Sequence, residues 1–298
     1  MKKFKFKKID AFATTRSQGN PAAAIYLDSK NDISEHEMQR IAWQLKSYVN
    51  EVGYLHYSEK DIITFRYFSS EKEVDFCGHA TIAIMYDLIS NNVDLKKQSS
   101  ITIDTPKGLL SVINKISDEE AIYIGAPFPE TIELNATRDD IAKSLNIDGS
   151  SIEGSIPLSI INAGLKTLLV PIRKLESILQ ISPDIDILKD FCLSNGIDVI
   201  NVFTSETAHA QNSYRTRVFA PTFGYLEDPA TGSGNSALAY YLLKNNLWQG
   251  EPMTIEQNSH KDNANHINII TENIDSSKIQ VFFGGQAIVR IEGEYNYV

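Results

Sequence analysis

The chain has 298 residues, 42% of them hydrophobic and 22% charged, which is the composition of a globular protein able to bury a core. At roughly 150 residues per domain, this length favours two domains. The formal net charge of −10 argues against nucleic acid or an anionic membrane as a partner. An anionic small molecule would therefore need a local site, such as the backbone amides at the start of a helix.

The sequence indicates a cytoplasmic protein. The lysine-rich start, residues 1–8, is followed by no apolar stretch, so we expect no secretory signal. No apolar run reaches the ~18 residues of a membrane-spanning helix, so we expect no membrane partner. Two cysteines, Cys77 and Cys192, argue against a disulfide framework and favour a reducing compartment.

In the first half, apolar patterns predict strands interrupted by two helices. Ser34 followed by Glu37 has the spacing of a capping box, which predicts a helix from Ser34 to about Lys46. A nearly continuous apolar stretch predicts a second helix at about 80–89. Strands are predicted at 4–12, 22–27, 52–57 and 62–68, with a hairpin at 101–105 and 109–113.

The second half is predicted to follow the same order. The predicted elements are strands at 160–161, 165–170, 199–204 and 215–219, with helices at 185–194 and 235–243. Gly78-His79 at the first apolar helix aligns with Gly232-Ser233 at the later one, about half the chain away. An Arg-x-Phe-x element precedes each, beginning at Arg66 and Arg217. Chance similarity of two helix starts is the alternative, but the shared order of elements favours duplication. We predict domains at 1–118 and 119–298, with a closing C-terminal strand able to return to the first.

Each aligned helix start is a candidate anion site. Free N–H groups at Gly78-His79 and Gly232-Ser233 would point outward, with the positive end of the helix dipole behind them. A carboxylate could bind there while nearby N–H groups stabilise charge that develops on deprotonation. Short glycine motifs often match by accident, so each taken alone favours a purely structural helix start.

A series of motifs carries a family resemblance. In chain order they are 9–12 (IDAF), 19–23 (GNPAA), 50–52 (NEV), 66–68 (RYF), 73–81 (EVDFCGHAT), 217–221 (RVFAP), 227–233 (EDPATGS) and 283–287 (FGGQA). Together they resemble PhzF-like proteins, the phenazine biosynthesis family, across nearly the whole chain.

The resemblance implies an α+β fold like that of diaminopimelate epimerase. In it, two pseudo-symmetric barrel-like β domains each wrap around a central α-helix, here 80–89 and 235–243. Their almost uninterrupted apolar character suits enclosed helices. The resemblance also implies an active site in the cleft between the domains, a homodimer, a small anionic metabolite as ligand, and no cofactor.

The resemblance also implies the site residues. Glu51 would be the general acid/base, with His79 and Asp228 as catalytic companions. The implied substrate-binding residues are Asn20, Asn50, Gly78, His79, Gly232 and Ser233.

The residues themselves allow simpler interpretations of these positions. Glu51 stands among apolar neighbours that would partly desolvate it, which suits proton transfer, but a solvated charge at a strand start is the alternative. His79 could have only a local partner, and its protonation state is open. Asp228 could serve only as a turn and capping residue. Ser233 could be an ordinary N-cap.

Cys77 raises the question of a two-cysteine racemase mechanism. Amino-acid epimerases of the same fold use two opposed cysteines, but Pro229-Ala230-Thr231 occupies the second position here. A two-thiol racemase is therefore disfavoured, and Cys77 is expected to be a small buried residue. The six histidines form no zinc-spaced pair with cysteine or glutamate, so we expect no metal.

One motif departs from the family pattern. Family members often carry Glu-Gln-Gly, whereas this chain has Glu256-Gln257-Asn258. We expect this loop to shape the substrate site and therefore do not expect the phenazine precursor itself as substrate. The sequence predicts a cofactor-independent isomerase shifting a proton or double bond on a small carboxylate. An epimerase using Asp228 or His79 as second base and a non-catalytic binding protein are the alternatives.

Overall fold

The computed structural model describes residues 1–58, 62–275 and 278–298. Its strands are β1 (Lys2–Ala11), β2 (Asn20–Tyr26), β3 (Glu51–Tyr57), β4 (Ile63–Ser69), β5 (Glu73–Val74), β6 (Ser100–Thr105), β7 (Gly108–Lys115), β8 (Ala121–Gly125), β9 (Glu130–Ile132), β10 (Ser159–Asn162), β11 (Lys166–Pro171), β12 (Val199–Thr204), β13 (Tyr214–Phe219), β14 (Glu227–Asp228), β15 (Met253–Gln257), β16 (Asn265–Asp275), β17 (Lys278–Gly285) and β18 (Ala287–Tyr297).

The helices are α1 (Glu35–Leu45), α2 (Gly78–Asn91), α3 (Val93–Lys96), α4 (Ile116–Glu119), α5 (Arg138–Ser144), α6 (Leu175–Gln180), α7 (Ile185–Ser194) and α8 (Gly232–Lys244), with 3₁₀ turns at Gly149–Ser151 and Pro221–Phe223. Among the described residues, every helix is too short or too polar to cross a membrane.

Several local predictions are confirmed. Helix α7 and strand β12 have the predicted bounds. At α1, the Ser34 hydroxyl accepts from the Glu37 N–H while the Glu37 carboxylate accepts from the Ser34 N–H, which is the predicted capping box. Strand β18, predicted only as a closing C-terminal strand without bounds, pairs antiparallel with β1 along nearly its whole length.

The chain divides into two units. The first contains Met1–Ile124 and Gly284–Val298, and the second contains Gly125–Phe283. The predicted boundary after residue 118 lies a few residues before this division. The C-terminal segment of the first unit contains β18, so a closing strand lies with the N-terminal residues.

In the first unit, β1 pairs antiparallel with β2 and β18, β2 pairs parallel with β3, and β3 pairs antiparallel with β4. Strand β4 pairs antiparallel with β5 and parallel with β6, which is antiparallel to β7. Helix α2 packs against β1, β2, β3 and β18. Eight of its residues are buried, as expected for an enclosed helix. Helix α1 joins a separate apolar cluster with β2, β3 and β4.

The second unit repeats these pairings in the same order. Strands β10 and β11 are antiparallel, β11 and β12 parallel, and β12 and β13 antiparallel. Strand β13 then pairs antiparallel with β14 and parallel with β15, which is antiparallel to β16. Helix α8 packs against β10, β11, β12 and β16. The repeated topology agrees with the duplication predicted from the two helix starts.

The Arg-x-Phe-x element makes equivalent contacts in the two units. Nε and Nη2 of Arg66 each donate to a different oxygen of Glu73, both at 2.6 Å. Arg217 and Glu227 form the equivalent pair at 3.0 and 2.7 Å. Each guanidinium also lies over the phenylalanine ring two residues along, at 5.2 and 4.9 Å. Each pair ties the long strand to the short strand before the central helix.

Candidate active site

Glu51 meets the start of the central helix of the first unit. It is the first residue of β3, which packs against α2. Gly53, two residues along, permits this close packing, because a Cβ there would lie 2.4 Å from Cδ1 of Ile84 in α2. As a result, Oε2 of Glu51 lies 3.2 Å from Nε2 of His79, the second residue of α2.

Cys77 completes a cluster of three side chains. It is the N-cap residue of α2, and its Sγ lies 3.5 Å from Nδ1 of His79. The ligating atoms of Glu51, Cys77 and His79 all lie within 4.8 Å of one another. The side chains of His79 and Glu51 are 12% and 20% exposed, so solvent reaches one edge of the cluster.

The cluster favours a charged imidazole. Burial alone would lower the pKa of His79, but Cys77 and the Glu51 carboxylate raise it well above the ordinary histidine value. Burial raises the pKa of the Cys77 thiol, and His79 opposes that rise only in part. These two shifts favour an imidazolium ion at His79 beside the Cys77 thiol.

One oxygen of the cluster lacks a hydrogen bond. Oε2 of Glu51 is buried and accepts none from the part of the chain that the structure describes, although it lies at ion-pair distance from His79. The contact is thus electrostatic rather than an aligned hydrogen bond. Its lone pair remains able to accept a proton or bind a cation.

The internal repeat shows that the fold does not require this cluster. Val52 faces Phe68 across β3 and β4, and Ile200 faces the equivalent phenylalanine, Phe219, across β12 and β13. The counterpart of Glu51 is therefore Val199.

The helix starts diverge in the same way. Thr231 is the N-cap of α8 at φ −121° and ψ 107°, close to Cys77 at φ −131° and ψ 108°. Ser233 stands where α2 has His79. The second unit thus builds the same strand–helix junction from Val199, Thr231 and Ser233. The carboxylate, thiol and imidazole groups of the first unit are therefore not needed to form the junction.

The other predicted residues of the first unit lie nearby in sequence and structure. Asn50 precedes Glu51, and its Nδ2 donates to Oδ1 of Asn20 at 3.4 Å. Asn20 is buried, and Gly78 is the first residue of α2. The structure therefore gathers Asn20 with Asn50, and Glu51 with His79.

Asp228, Gly232 and Ser233 belong to the second unit. Asp228 ends β14, and its carboxylate accepts from the Thr231 hydroxyl. Gln257 fixes this turn, because its Oε1 accepts from the Thr231 N–H and its Nε2 donates to the carbonyl oxygen of Asp228. Gly232 also has a packing role, since a Cβ there would lie 2.3 Å from the Phe283 ring.

Comparison with known proteins places the chain in a family. Residues 9–293 match the family model described as phenazine biosynthesis-like protein. The chain belongs to this family. It is 28% identical over 261 residues to the uncharacterized isomerase YfhB of Bacillus subtilis, covering 86% of this chain and 87% of that protein.

Two solved structures share the fold of this phenazine biosynthesis-like protein. A Bacillus anthracis phenazine biosynthesis protein of the PhzF family superposes with a TM-score of 0.87 at 24% identity, over 100% of both chains. A predicted epimerase of Pseudomonas aeruginosa gives a TM-score of 0.76 at 18% identity, covering 99% and 100%. The predicted α+β, epimerase-like fold is confirmed.

In this family member, the sequence analysis missed three features of the site. The expected burial of Cys77 is confirmed, but its contact with His79 was not foreseen. The search for metal-spaced pairs found none because it compared neighbours in sequence, whereas Glu51 comes from a separate strand to complete a possible ligand set. Gln257, noted only within a divergent motif, holds the second helix start in place.

Proposed function

We propose that this phenazine biosynthesis-like protein is an isomerase that shifts a proton or a double bond on a small carboxylate metabolite, with Glu51 as general acid/base. Family membership supports isomerase chemistry, since YfhB and other relatives are named as isomerases. The observation that carries the residue assignment is the 3.2 Å approach of His79 to Glu51, in a cluster that the second unit builds without ionisable groups.

The proposed reaction needs one carboxylate. The Glu51 carboxylate takes a proton from a carbon of the substrate, and the C–H electron pair enters the substrate π system. The partly exposed carboxyl group exchanges some of this proton with solvent. It then protonates another carbon on the same face, which forms a new C–H bond, moves the double bond and places solvent deuterium in the product when the reaction runs in D₂O. Atoms and electrons balance within the substrate, so the proposed step draws on no coenzyme and no metal.

His79 has a supporting role in this scheme. An imidazolium ion beside Glu51 stabilises the negative charge that develops on the substrate during the reaction. The neutral thiol of Cys77 contacts the other ring nitrogen and helps to fix the ring orientation. His79 is thus proposed as a catalytic residue and Cys77 as a positioning residue.

Other assignments follow from the family resemblance. We propose Asp228 as a third catalytic residue, and Asn20, Asn50, Gly78, Gly232 and Ser233 as substrate contacts. Backbone N–H groups at the two helix starts would supply the local positive potential that an anionic substrate needs in a protein of net charge −10. A cytoplasmic homodimer is part of the same proposal.

Hydrogen exchange separates this proposal from its alternatives. Candidate small carboxylates are incubated with the protein in D₂O and followed by NMR. An isomerase incorporates deuterium and moves a double bond, an epimerase incorporates deuterium with inversion of a stereocentre, and a binding protein gives no incorporation. No incorporation by any carboxylate that raises the melting temperature would overturn the proposal.

The residue assignment has its own test. We expect Glu51→Gln to slow exchange by about 10²–10⁴-fold while ligands still raise the melting temperature. Glu71→Gln, at an exposed glutamate just before β5, is the matched control and should exchange normally. Equal rates in both variants would remove Glu51 from the mechanism.

A further inference from the structure

We propose that Glu51, Cys77 and His79 bind one thiophilic divalent cation, Zn²⁺, and that this ion inhibits the protein. The cluster offers a sulfur, a ring nitrogen and a carboxylate oxygen, all within 4.8 Å of one another. These three donor types are the usual protein ligands of zinc.

The present spacing is close to that around a tetrahedral ion. Zinc bonds of about 2.3 Å to sulfur and about 2.0–2.1 Å to nitrogen or oxygen imply about 3.6 Å between sulfur and nitrogen and about 3.4 Å between nitrogen and oxygen. The observed distances are 4.0 Å from Cys77 Sγ to His79 Nε2 and 3.2 Å from His79 Nε2 to Glu51 Oε2. A shift of the imidazole ring by a few tenths of an ångström would bring these two pairs to zinc spacing. The Cys77 sulfur, which lies within 4.8 Å of the Glu51 carboxylate oxygen, would also need to lie about 3.6 Å from it.

The carboxylate oxygen strengthens the case. Oε2 of Glu51 is buried and accepts no hydrogen bond from the described residues, so a cation would satisfy lone pairs that only the ion pair with His79 now approaches. Glu51 and His79 are partly exposed, which leaves an entry path and a fourth position for water. Three protein ligands and an exchangeable water are a common zinc arrangement.

The repeat supplies an internal comparison. At the equivalent junction of the second unit, Val199, Thr231 and Ser233 replace the three ligands, and hydroxyl groups bind zinc poorly. Of the two equivalent strand–helix junctions, only that of the first unit therefore offers a zinc site.

Inhibition follows from the identity of the ligands. A zinc ion would occupy the Glu51 oxygen and the His79 nitrogen that the reaction uses, and it would displace to solvent both the Cys77 thiol proton and the Nε2 proton of the His79 imidazolium ion. This consequence rests on the proposed function, whereas binding itself does not. The two can therefore be tested separately.

Binding is measured without substrate. The full chain, reduced and treated with chelator, is titrated with ZnCl₂ by calorimetry and with Co²⁺ by absorption spectroscopy, where a thiolate ligand adds a sulfur-to-metal charge-transfer band. We expect one equivalent bound, with affinity at least about tenfold lower in Cys77→Ala, His79→Gln and Glu51→Gln, a loss that even second-shell changes can cause. Cys192→Ala and Glu71→Gln are controls, and melting temperatures show that each variant is folded.

Inhibition is then measured as deuterium exchange with and without Zn²⁺. The wild type should lose exchange on addition of zinc and recover it with chelator, while the residual exchange of Cys77→Ala should not respond to zinc. Absent binding, or equal affinity in wild type and folded Cys77→Ala, would overturn the site. Zinc bound at full occupancy with unchanged exchange would overturn the inhibition. A failure of exchange in every substrate with zinc binding intact would count against the proposed function alone and would support the site.

Discussion

Gly53 and Ile84 fix the distance between the strand that carries Glu51 and the helix that carries His79. A side chain on Gly53 would place its Cβ 2.4 Å from Cδ1 of Ile84, which is well inside contact distance. Both residues are fully buried or nearly so, and the core around them has little room to adjust. The close approach therefore depends on the absence of a single methyl group.

Gly53→Ala should lower both stability and activity. Forcing a methyl group into this packed contact is expected to cost about 1–3 kcal/mol of unfolding free energy. It should also move the start of β3 away from α2 and slow deuterium exchange, because the Glu51–His79 contact lengthens. Urea unfolding and the exchange assay measure the two effects.

Ile84→Val provides the matched control, because it removes the Cδ1 atom that a new Cβ would meet. The double variant should lose less stability than the sum of the two single changes, with an interaction energy of about 0.5–3 kcal/mol. Additive losses would show that strain at Gly53 arises elsewhere.

The ion pair predicts how His79 titrates. Its pKa is raised in the folded protein by Cys77 and Glu51 against the opposing effect of burial, so Glu51→Gln should lower it. NMR of the ring protons, assigned by loss of the signal in His79→Gln, measures the midpoint in both proteins. Glu71→Gln should leave that midpoint unchanged, and an unchanged midpoint in Glu51→Gln would contradict the pairing.

The raised pKa of His79 also predicts how the stability of the folded protein depends on pH. A raised pKa means that the charged His79 stabilises the fold fully below the unfolded histidine value of about 6.5 and loses that contribution as pH rises through the folded value. The difference in melting temperature between the wild type and Glu51→Gln should therefore be larger at acidic pH than at alkaline pH. A melting-temperature difference that grows with pH would contradict the raised pKa of His79.

Local patterns predicted much of the fold. Helix α7 and strand β12 were predicted at their bounds because the pattern of apolar residues that marks each element is local along the chain. Strand β18 was predicted only as a closing C-terminal strand without bounds. Most of its side chains are exposed, and its partner β1 lies at the other end of the sequence.

Residues of the candidate site were predicted from the sequence only where they belong to a family motif. Glu51 and His79 came from the family resemblance, and the structure brings them together. Gly53 gave no signal, because a glycine in a strand acquires meaning only from Ile84, a residue of another element. The approach of Cys77 to Glu51 is likewise a tertiary contact that spacing along the chain does not encode.

The paired arginines of the two units should differ in importance. The side chain of Arg217 is 6% exposed, and its Nη1 also donates to the carbonyl oxygens of Ile178 and Ile181. That of Arg66 is 33% exposed. We expect Arg217→Gln to cost about 3–5 kcal/mol of unfolding free energy, because it leaves buried groups unpaired, and Arg66→Gln to cost about 1 kcal/mol or less. Urea unfolding of both variants makes the comparison, and equal losses would show that burial does not set the value of these pairs.

Asn258 occupies a backbone conformation that suits glycine. Its φ is +135°, where a side chain is strained, and it stands where family members often carry glycine. Its side chain offsets that strain through hydrogen bonds. Oδ1 accepts from the buried Arg215 and from the His260 N–H, at 3.0 and 2.9 Å, and Nδ2 donates to the carbonyl oxygen of Asn263 at 2.9 Å.

Two substitutions of Asn258 separate strain from hydrogen bonding. Asn258→Gly and Asn258→Ala both lose the side-chain hydrogen bonds, so both should be less stable than the wild type. Only glycine relieves the backbone strain at this positive φ. The free energy of unfolding of the alanine variant should therefore be about 1–3 kcal/mol lower than that of the glycine variant. Urea unfolding midpoints give that difference directly. A glycine variant more stable than the wild type would mean that the hydrogen bonds to Arg215 and His260 do not offset the strain, and equal stability of the two variants would mean that the strain itself is absent.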